Sequence, residues 1–361
     1  MSEYTISQIT PSDRRACRQM DALLEKEGIE RDKNLDYSIG LFDEDYNLVA
    51  TGSCFSNTLR CMAVSSDHQG EGLMNQVVTA LMDYQFSRGC TDLFLYTKIT
   101  TARFFRDLGF YEIARVEGKL VFMENRRTGF ENYLKNLQRE TEEALPQITR
   151  NTSPEANGHI GAVIMNANPF TLGHQYLIEQ ASSRTELLHV FVVSEDVSLV
   201  PLTVREQLVK EGSAVFKNLI FHRTGPYMIS NATFPSYFLK DSDTVIRSHA
   251  RLDIEIFTRI ASALGITDRF VGEEPFSQVT GIYNQVMKEE LESAGLTCTI
   301  IPRKTGNDGA ISASDVRTKI KEGDFEALRA LVPETTYRYF TSEKAEPVIA
   351  KIRGTAEVRH Y

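Results

Sequence analysis

Hydrophobic and polar positions alternate over short runs in the first third of the chain, and the stretches between these runs carry apolar residues at helical spacing. Tyr37–Phe42 and Leu48–Cys54 flank the turn-forming run Asp43–Glu44–Asp45, which predicts an antiparallel hairpin. Further strands are predicted at Thr58–Val64, Asp92–Tyr96, Phe110–Ala114 and Lys119–Met123, with helices at Gly72–Phe86 and Ala102–Leu108. This mixture predicts an α+β domain over residues 1–127.

The pattern changes after this domain. Thr128–Leu145 predicts a charged helix, and Pro146–Gly158 is rich in Pro, Asn, Thr and Ser, so we interpret residues 128–158 as a helix and linker. A strand at His159–Met165 and a helix at His174–Ser182 then begin a second region. More strands are predicted at Leu188–Val193, Leu219–His222, Asp243–Ile246, Arg269–Val271 and Cys298–Ile301. Strands that alternate with helices predict an α/β domain over residues 159–361, with a parallel sheet covered on both faces.

Composition narrows the functional classes. The 361 residues are 42% hydrophobic and contain no apolar run long enough to cross a membrane. The N-terminus lacks the apolar core of a signal peptide, so we expect a cytoplasmic protein. A net charge of −9 argues against a nucleic-acid-binding surface. The five cysteines are scattered without metal-ligand spacing, which argues against a disulfide framework or a zinc site.

The most specific segment is Asn166–His174, which follows a β-branched strand and precedes a helix. Open α/β folds bind ligands at the carboxyl ends of their strands, and free amides at a helix start favour phosphate. The segment resembles the H-x-G-H signature of the nucleotidyltransferase superfamily, a Rossmann-like fold. The resemblance implies that His174 and Thr171 are catalytic and that Asn168 and Gly173 contact the nucleotide. Thr171 stands where the first histidine of the signature normally lies.

A second motif lies near the end of the same predicted domain. Ile311–Arg317 matches the I-S-x-S-x-x-R signature of that superfamily, which holds the β- and γ-phosphates of the nucleotide. Ile311, Ser312, Ser314 and Arg317 are the matching residues. Serine hydroxyls and the fixed fork of an arginine are suited to phosphate oxygens. Taken by itself, the segment could also be a capping motif in which Ser312 or Ser314 bonds free amides.

Three further residues are candidates for the nucleotide site. Gly272 and Glu273 follow a predicted strand at a point that contacts adenosine in the superfamily, although a solvated acidic turn is the alternative. Arg247 is a candidate for a triphosphate or acetate contact, with the solvated face of a helix as the alternative.

Essentially the whole chain, including the first domain, resembles one family, citrate lyase ligase. The resemblance is carried by Thr224–Tyr227, Ser230–Lys240, Arg247–Ile254 and Val271–Phe276. It implies that acetate attacks the α-phosphate of ATP with loss of pyrophosphate, and that acetyl-AMP then acetylates a thiol. The thiol belongs to the dephospho-coenzyme A-like prosthetic group on the acyl carrier subunit of citrate lyase. Mg²⁺ is implied for the leaving pyrophosphate, with no ligand assigned.

The first domain contains a loop that resembles another family. Gln69 and Gly72 fit the Q/R-x-x-G-x-G/A turn of GNAT-type acetyltransferases, where backbone amides bind the coenzyme A diphosphate, while Met74 replaces the last small residue. The resemblance implies a GNAT-like fold for residues 1–127, and our hypothesis is that Gln69 and Gly72 bind the pantetheine and diphosphate of the partner's prosthetic group. An independent acetyl-coenzyme A-dependent transferase and a docking module remain alternatives.

Two other functions remain open for the whole chain. One is a nucleotidyltransferase that couples a phosphorylated pantetheine to AMP, for which acetate would be irrelevant. The other is a regulator that binds nucleotide and coenzyme A without catalysis, which the substitutions at Thr171 and Met74 favour.

Overall fold

The computed structural model describes residues 4–194, 198–228, 234, 242–273, 278–306 and 309–355. Contacts divide the chain into two units, of which the first contains Met1–Gly129 with Thr233–Leu252 and the second contains Phe130–Ala232 with Asp253–Tyr361. This division differs from the predicted domain boundaries, because residues 130–158 group with the second unit and residues 233–252 with the first. Most of the resemblance segment Ser230–Lys240, and residues 274–276 of Val271–Phe276, lie outside the described residues.

The first unit is built on a seven-stranded sheet. Its strands are β1 (Thr5–Gln8), β2 (Tyr37–Phe42), β3 (Leu48–Phe55), β4 (Thr58–Val64), β5 (Phe94–Thr97), β6 (Tyr111–Val116) and β7 (Leu120–Glu124), and its helices are α1 (Arg14–Lys26), α2 (Leu73–Ser87) and α3 (Ile99–Asp107). A short 3₁₀ turn covers Ser66–His68. The strand order is β1-β2-β3-β4-β5-β7-β6, and all pairs are antiparallel except β4 with β5. The predicted β2–β3 hairpin is confirmed.

Local packing explains how α2 lies on this sheet. Val77 and Leu81 are fully buried and lie one helical turn apart on α2. A side chain at Gly52 of β3 would lie only 2.5 Å from Val77 Cγ1 and 2.9 Å from Leu81 Cδ1. The glycine therefore lets the helix pack closely on the strand.

The second unit contains a parallel five-stranded sheet. Its strands are β8 (Ile160–Met165), β9 (Leu187–Val192), β10 (Leu219–Arg223), β11 (Asp268–Gly272) and β12 (Thr297–Ile301), followed by a small hairpin of β13 (Thr305–Gly306) and β14 (Gly309–Ala310). The helices are α4 (Gly129–Ala144), α5 (Leu172–Ser182), α6 (Leu202–Gly212), α7 (Ser242–Leu264), α8 (Gln278–Ser293), α9 (Ala313–Glu322), α10 (Phe325–Arg329), α11 (Glu334–Phe340) and α12 (Glu346–Gly354), with 3₁₀ turns at Leu145–Gln147 and Glu343–Ala345. Helices α4 and α7 cross the division between the units.

The strand order β10-β9-β8-β11-β12 determines where a ligand can bind. Strands β9 and β10 follow β8 outward on one side, and strands β11 and β12 lie on the other side. The order therefore reverses between β8 and β11. In open α/β sheets the crevice at the carboxyl ends of such strands is the usual ligand site.

One predicted strand is wrong. Asp243–Ile246 lies in the long helix α7. Ile246, Ala250, Phe257 and Ala261 are buried at intervals of four, seven and four residues, which is the spacing of one helix face. The short run Thr244–Ile246 is too brief for its β-branched residues to distinguish a strand from a helix. Among the described helices, none has the length and apolar content needed to cross a membrane.

Candidate active site

The loop between β8 and α5 is held in place by buried polar side chains. The Asn168 side chain is 2% exposed, and its Oδ1 accepts a hydrogen bond of 3.0 Å from the Val200 N–H. The fully buried Arg205 donates to the Asn166 carbonyl at 2.8 Å and to the Val193 carbonyl at 2.7 Å. Because these groups are kept from water and satisfied by partners in the protein, the loop has a defined shape at the carboxyl end of β8.

Helix α5 begins with a capping box formed by Thr171 and His174. The Thr171 Oγ1 accepts from the His174 N–H at 3.2 Å, and the His174 Nδ1 accepts from the Thr171 N–H at 3.1 Å. Thr171 Oγ1 also lies 2.9 Å from Nδ1. Since Nδ1 is an acceptor, the neutral ring carries its proton on Nε2. No residue in the described part of the chain makes a hydrogen bond to Nε2.

Burial keeps the His174 imidazole neutral. Burial, and secondarily the positive charge of Arg303, lower the pKa of His174 from 6.5 to about 4. At neutral pH the ring is therefore a hydrogen-bond donor through Nε2 and carries no charge. Phe170, which is fully buried, stacks on the ring with centroids 5.8 Å apart and limits its orientation.

The two sequence motifs meet at the start of α5. An added side chain at Gly173 would lie 3.2 Å from the Ile311 carbonyl oxygen, so this glycine permits close approach of the second motif. Ser312 caps α9 by accepting from the Asp315 N–H at 3.1 Å. Arg317 is 1% exposed and donates to the Asn168 carbonyl at 2.6 Å and to Ser314 Oγ at 3.0 Å.

The burial of Arg317 differs from the exposure expected of a simple phosphate contact. Desolvation lowers the pKa of its guanidinium to about 10, which still leaves it charged at neutral pH. Its hydrogen bond to the Asn168 carbonyl joins the second motif directly to the loop between β8 and α5. Thr171 is also buried, at 1% exposure, and its hydroxyl contacts His174.

The carboxyl ends of β11 and β12 supply the other side of the crevice. Gly272 is half-buried and has open space where a side chain would be. Glu273 is exposed, its N–H donates to the Ile301 carbonyl at 2.9 Å, and its carbonyl accepts from Arg303 Nε at 2.8 Å. Arg303 belongs to no motif recognised in the sequence. It lies two residues after the end of β12, and its positive charge lowers the pKa of His174.

Arg247 is exposed on α7, in the segment Thr233–Leu252 that belongs to the first unit. Among the described residues, no group of three His, Cys, Asp or Glu side chains could hold a metal ion.

The first unit contains a cavity of about 640 Å³. It opens beyond the short parallel pairing of β4 with β5, which joins only Thr58 to Phe94 and Leu59 to Leu95. Gln69, Gly72 and Met74 line it. Gly72 has a φ of 76° at the start of α2, a conformation that favours glycine.

Most of the chain is similar to a set of named enzymes. The citrate (pro-3S)-lyase ligase of Escherichia coli K12 is 37% identical over 319 residues, which cover 86% of this chain and 87% of the relative. The ligase of the same name from Haemophilus influenzae is 35% identical and covers 89% of this chain and 93% of the relative. The chain belongs to the citrate lyase ligase family. These relatives are enzymes, and this chain is an enzyme of the same family.

Two family models match separate parts of this citrate lyase ligase family member. The citrate lyase ligase C-terminal domain matches residues 160–340, and the acetyltransferase (GNAT) family matches residues 4–110. The predicted fold, a GNAT-like α+β domain followed by a Rossmann-like parallel-sheet domain, is confirmed.

Proposed function

We propose that this chain activates acetate with ATP and acetylates the prosthetic-group thiol on the acyl carrier subunit of citrate lyase, thereby activating that enzyme. The names of its relatives support action on citrate lyase. The neutral His174, fixed at the switch point with Nε2–H directed away from its capping partners, is the observation that carries the ATP-dependent step.

In the first step, a carboxylate oxygen of acetate attacks the α-phosphorus of ATP. The bond from that phosphorus to the oxygen bridging to the β-phosphate breaks, and pyrophosphate leaves with the electron pair. Negative charge develops on the α-phosphate oxygens, and the His174 Nε2–H donates a hydrogen bond to one of them. A preorganised donor in a water-poor site stabilises such charge without reorganisation.

The remaining residues of the crevice have supporting roles in this proposal. Thr171 and Arg317 are positioning residues, because their buried polar atoms contact His174 and the Asn168 carbonyl. The positive charge of Arg303 lies close enough to lower the pKa of His174. A guanidinium at this position is also suited to binding the negatively charged triphosphate of ATP. The other candidates for nucleotide contacts are Asn168, Gly173, Gly272, Glu273, Ile311, Ser312 and Ser314, and Arg247 is kept as a candidate for ATP or acetate. Mg²⁺ would enter as part of the substrate, bound to the phosphates of ATP.

In the second step, the thiol sulfur attacks the acetyl carbonyl carbon. The bond between that carbon and the AMP oxygen breaks, AMP leaves, and a thioester forms with release of the thiol proton. We assign the first-unit cavity to the dephospho-coenzyme A-like group, with Gln69 and Gly72 near its diphosphate. The cavity volume and the turn at Gly72 support this assignment.

Exchange of labelled pyrophosphate into ATP tests the first step. Acetate-dependent exchange is expected for the ligase. Exchange that requires a phosphorylated pantetheine instead would support the coupling enzyme, and absence of exchange would support a regulator. Transfer of labelled acetyl to the carrier thiol then tests the second step.

A further inference from the structure

The backbone of Lys304 is tied to the starts of helices α5 and α9. Lys304 is half-buried and lies three residues after the end of β12. Its carbonyl accepts a hydrogen bond of 3.2 Å from the N–H of Ile311, the residue before the α9 cap. The Ile311 carbonyl in turn lies 3.2 Å from the position that a side chain at Gly173 would take, in the first turn of α5. These contacts place Lys304 beside both helix starts.

The Lys304 side chain extends over α5. Its Nζ lies 5.9 Å from the ring centroid of Tyr176, which belongs to α5. The preceding side chain takes another direction, because Arg303 Nε donates to the Glu273 carbonyl at 2.8 Å, just after the end of β11. Two consecutive residues therefore bring positive charge to the crevice, one held at the end of β11 and the other over α5.

The Lys304 ammonium has no acidic partner in the part of the chain that the structure describes. Asp315, the acidic residue in the first turn of α9, instead has its carboxylate bound by the Ser312 hydroxyl at 2.6 Å. A distance of 5.9 Å from the Tyr176 ring is near the outer limit of a cation–π contact, which is about 6 Å, so the ring holds the ammonium weakly. The ammonium can therefore turn to an anion at little cost.

The other two cations of the crevice are already hydrogen-bonded to the protein. Arg317 donates to the Asn168 carbonyl at 2.6 Å and to Ser314 Oγ at 3.0 Å, and Arg303 donates to the Glu273 carbonyl. Lys304 makes no hydrogen bond from its ammonium to any described residue. An ammonium carries three donors and suits phosphate oxygens, and the first-turn amides of a helix favour the same ligand. The edge beside Lys304 is therefore suited to phosphate.

We propose that Lys304 binds the β- and γ-phosphates of ATP and holds the pyrophosphate as it leaves. This proposal rests on the proposed function, which puts the α-phosphate at His174. When the bond from the α-phosphorus to the bridging oxygen breaks, that oxygen keeps the electron pair and the pyrophosphate gains negative charge. The hydrogen bond from Lys304 to a pyrophosphate oxygen strengthens as this charge grows, and no proton needs to move. Lys304 is thus a catalytic residue of the first step.

The test compares three variants of the full chain. Lys304→Met keeps an apolar side chain but removes the charge, and Lys304→Arg keeps the charge. Lys210→Met is the matched control, because Lys210 Nζ also lies 5.9 Å from an aromatic ring centroid, that of Phe221, and Lys210 is exposed on α6. Calorimetry with Mg²⁺ present gives the affinities for ATP, AMP and pyrophosphate, and acetate-dependent pyrophosphate exchange gives the rate of the first step.

Lys304→Met is expected to weaken the binding of ATP and of pyrophosphate about tenfold or more, the effect of losing one hydrogen bond to a charged group. Its AMP affinity should change little, because AMP has no β- or γ-phosphate. Lys304→Arg should retain most of the ATP affinity, and Lys210→Met should resemble the unchanged protein.

Two results would overturn the assignment of Lys304. One is an equal loss of ATP and AMP affinity in Lys304→Met, which would indicate a general defect of the site. The other is ATP and pyrophosphate affinities in Lys304→Met that match those of Lys210→Met. If the unchanged protein bound ATP but gave no acetate-dependent exchange, the proposed function itself would fail, whereas the comparison of ATP with AMP would still decide whether Lys304 contacts the outer phosphates.

Discussion

The hydrogen bonds of His174 allow its two ring nitrogens to be tested separately. Nδ1 accepts from the Thr171 N–H, whereas Nε2–H is proposed to face the α-phosphate. In His174→Asn, Oδ1 lies as many bonds from Cα as Nδ1 does, so the capping acceptor is retained and the Nε2 donor is lost. His174→Gln places an amide nitrogen as many bonds away as Nε2. His174→Ala removes both functions.

These variants should separate stability from rate. His174→Ala leaves the buried Thr171 N–H without its acceptor, at a cost of about 1–3 kcal/mol in the free energy of unfolding. His174→Asn should recover most of that stability. Both should lose about 10²–10³ in the rate of acetyl-AMP formation, the usual effect of removing one donor to developing negative charge. His174→Gln should recover part of the rate.

The assay is acetate-dependent pyrophosphate exchange at saturating ATP, with ATP binding measured separately by calorimetry. Urea unfolding gives the stability of each variant. ATP affinity should change little, because the bond is proposed to strengthen in the transition state. Exchange by His174→Asn at close to the unchanged rate would refute the role assigned to Nε2. All three variants should still use chemically supplied acetyl-AMP for transfer to the carrier.

Three other predictions follow from the geometry. Gly72→Leu should slow acetyl transfer to the carrier but leave pyrophosphate exchange intact. The left-handed backbone at this position should cost the variant about 1–2 kcal/mol in the free energy of unfolding, measured in urea. Loss of both activities in a folded variant would contradict the assignment of the two steps to separate units. Arg317→Ala should lower kcat/KM for ATP about 10- to 100-fold, because it leaves the Asn168 carbonyl without its charged donor. Arg317→Lys should restore less than half of the lost transition-state stabilisation, because a lysine cannot reproduce the two-nitrogen fork of the guanidinium. Unchanged ATP kinetics in Arg317→Ala would exclude this positioning role. Burial lowers the pKa of His189 from 6.5 to about 3, so the unfolded chain binds a proton at higher pH than the folded chain does, and the free energy of unfolding should fall as pH drops from about 6.5 toward 3. Urea unfolding at pH 7 and pH 5 should show a smaller loss of stability for His189→Gln than for the unchanged protein. An equal loss would contradict this linkage.

The local sequence determined most of the elements and the positions of both motifs. The β2–β3 hairpin and β4 could be recognised because strand periodicity and turn residues act over a few positions. Thr171 and Gly173 likewise identify the beginning of a helix after a strand, whatever lies around them. Strand β1 had no such pattern, since all four of its residues are exposed, and the start of α7 lacked enough residues to distinguish its period.

The tertiary structure decided how distant parts of the chain meet. Arg317 bonds to the carbonyl of Asn168, 149 residues away, and this contact depends on the packing of α9 against the loop after β8. The capping geometry that gives His174 its Nε2 proton, and the Arg303 charge beside it, also require the folded crevice. Local pattern fixes which element forms because its interactions span few residues, whereas burial and charge at a site depend on which elements pack together.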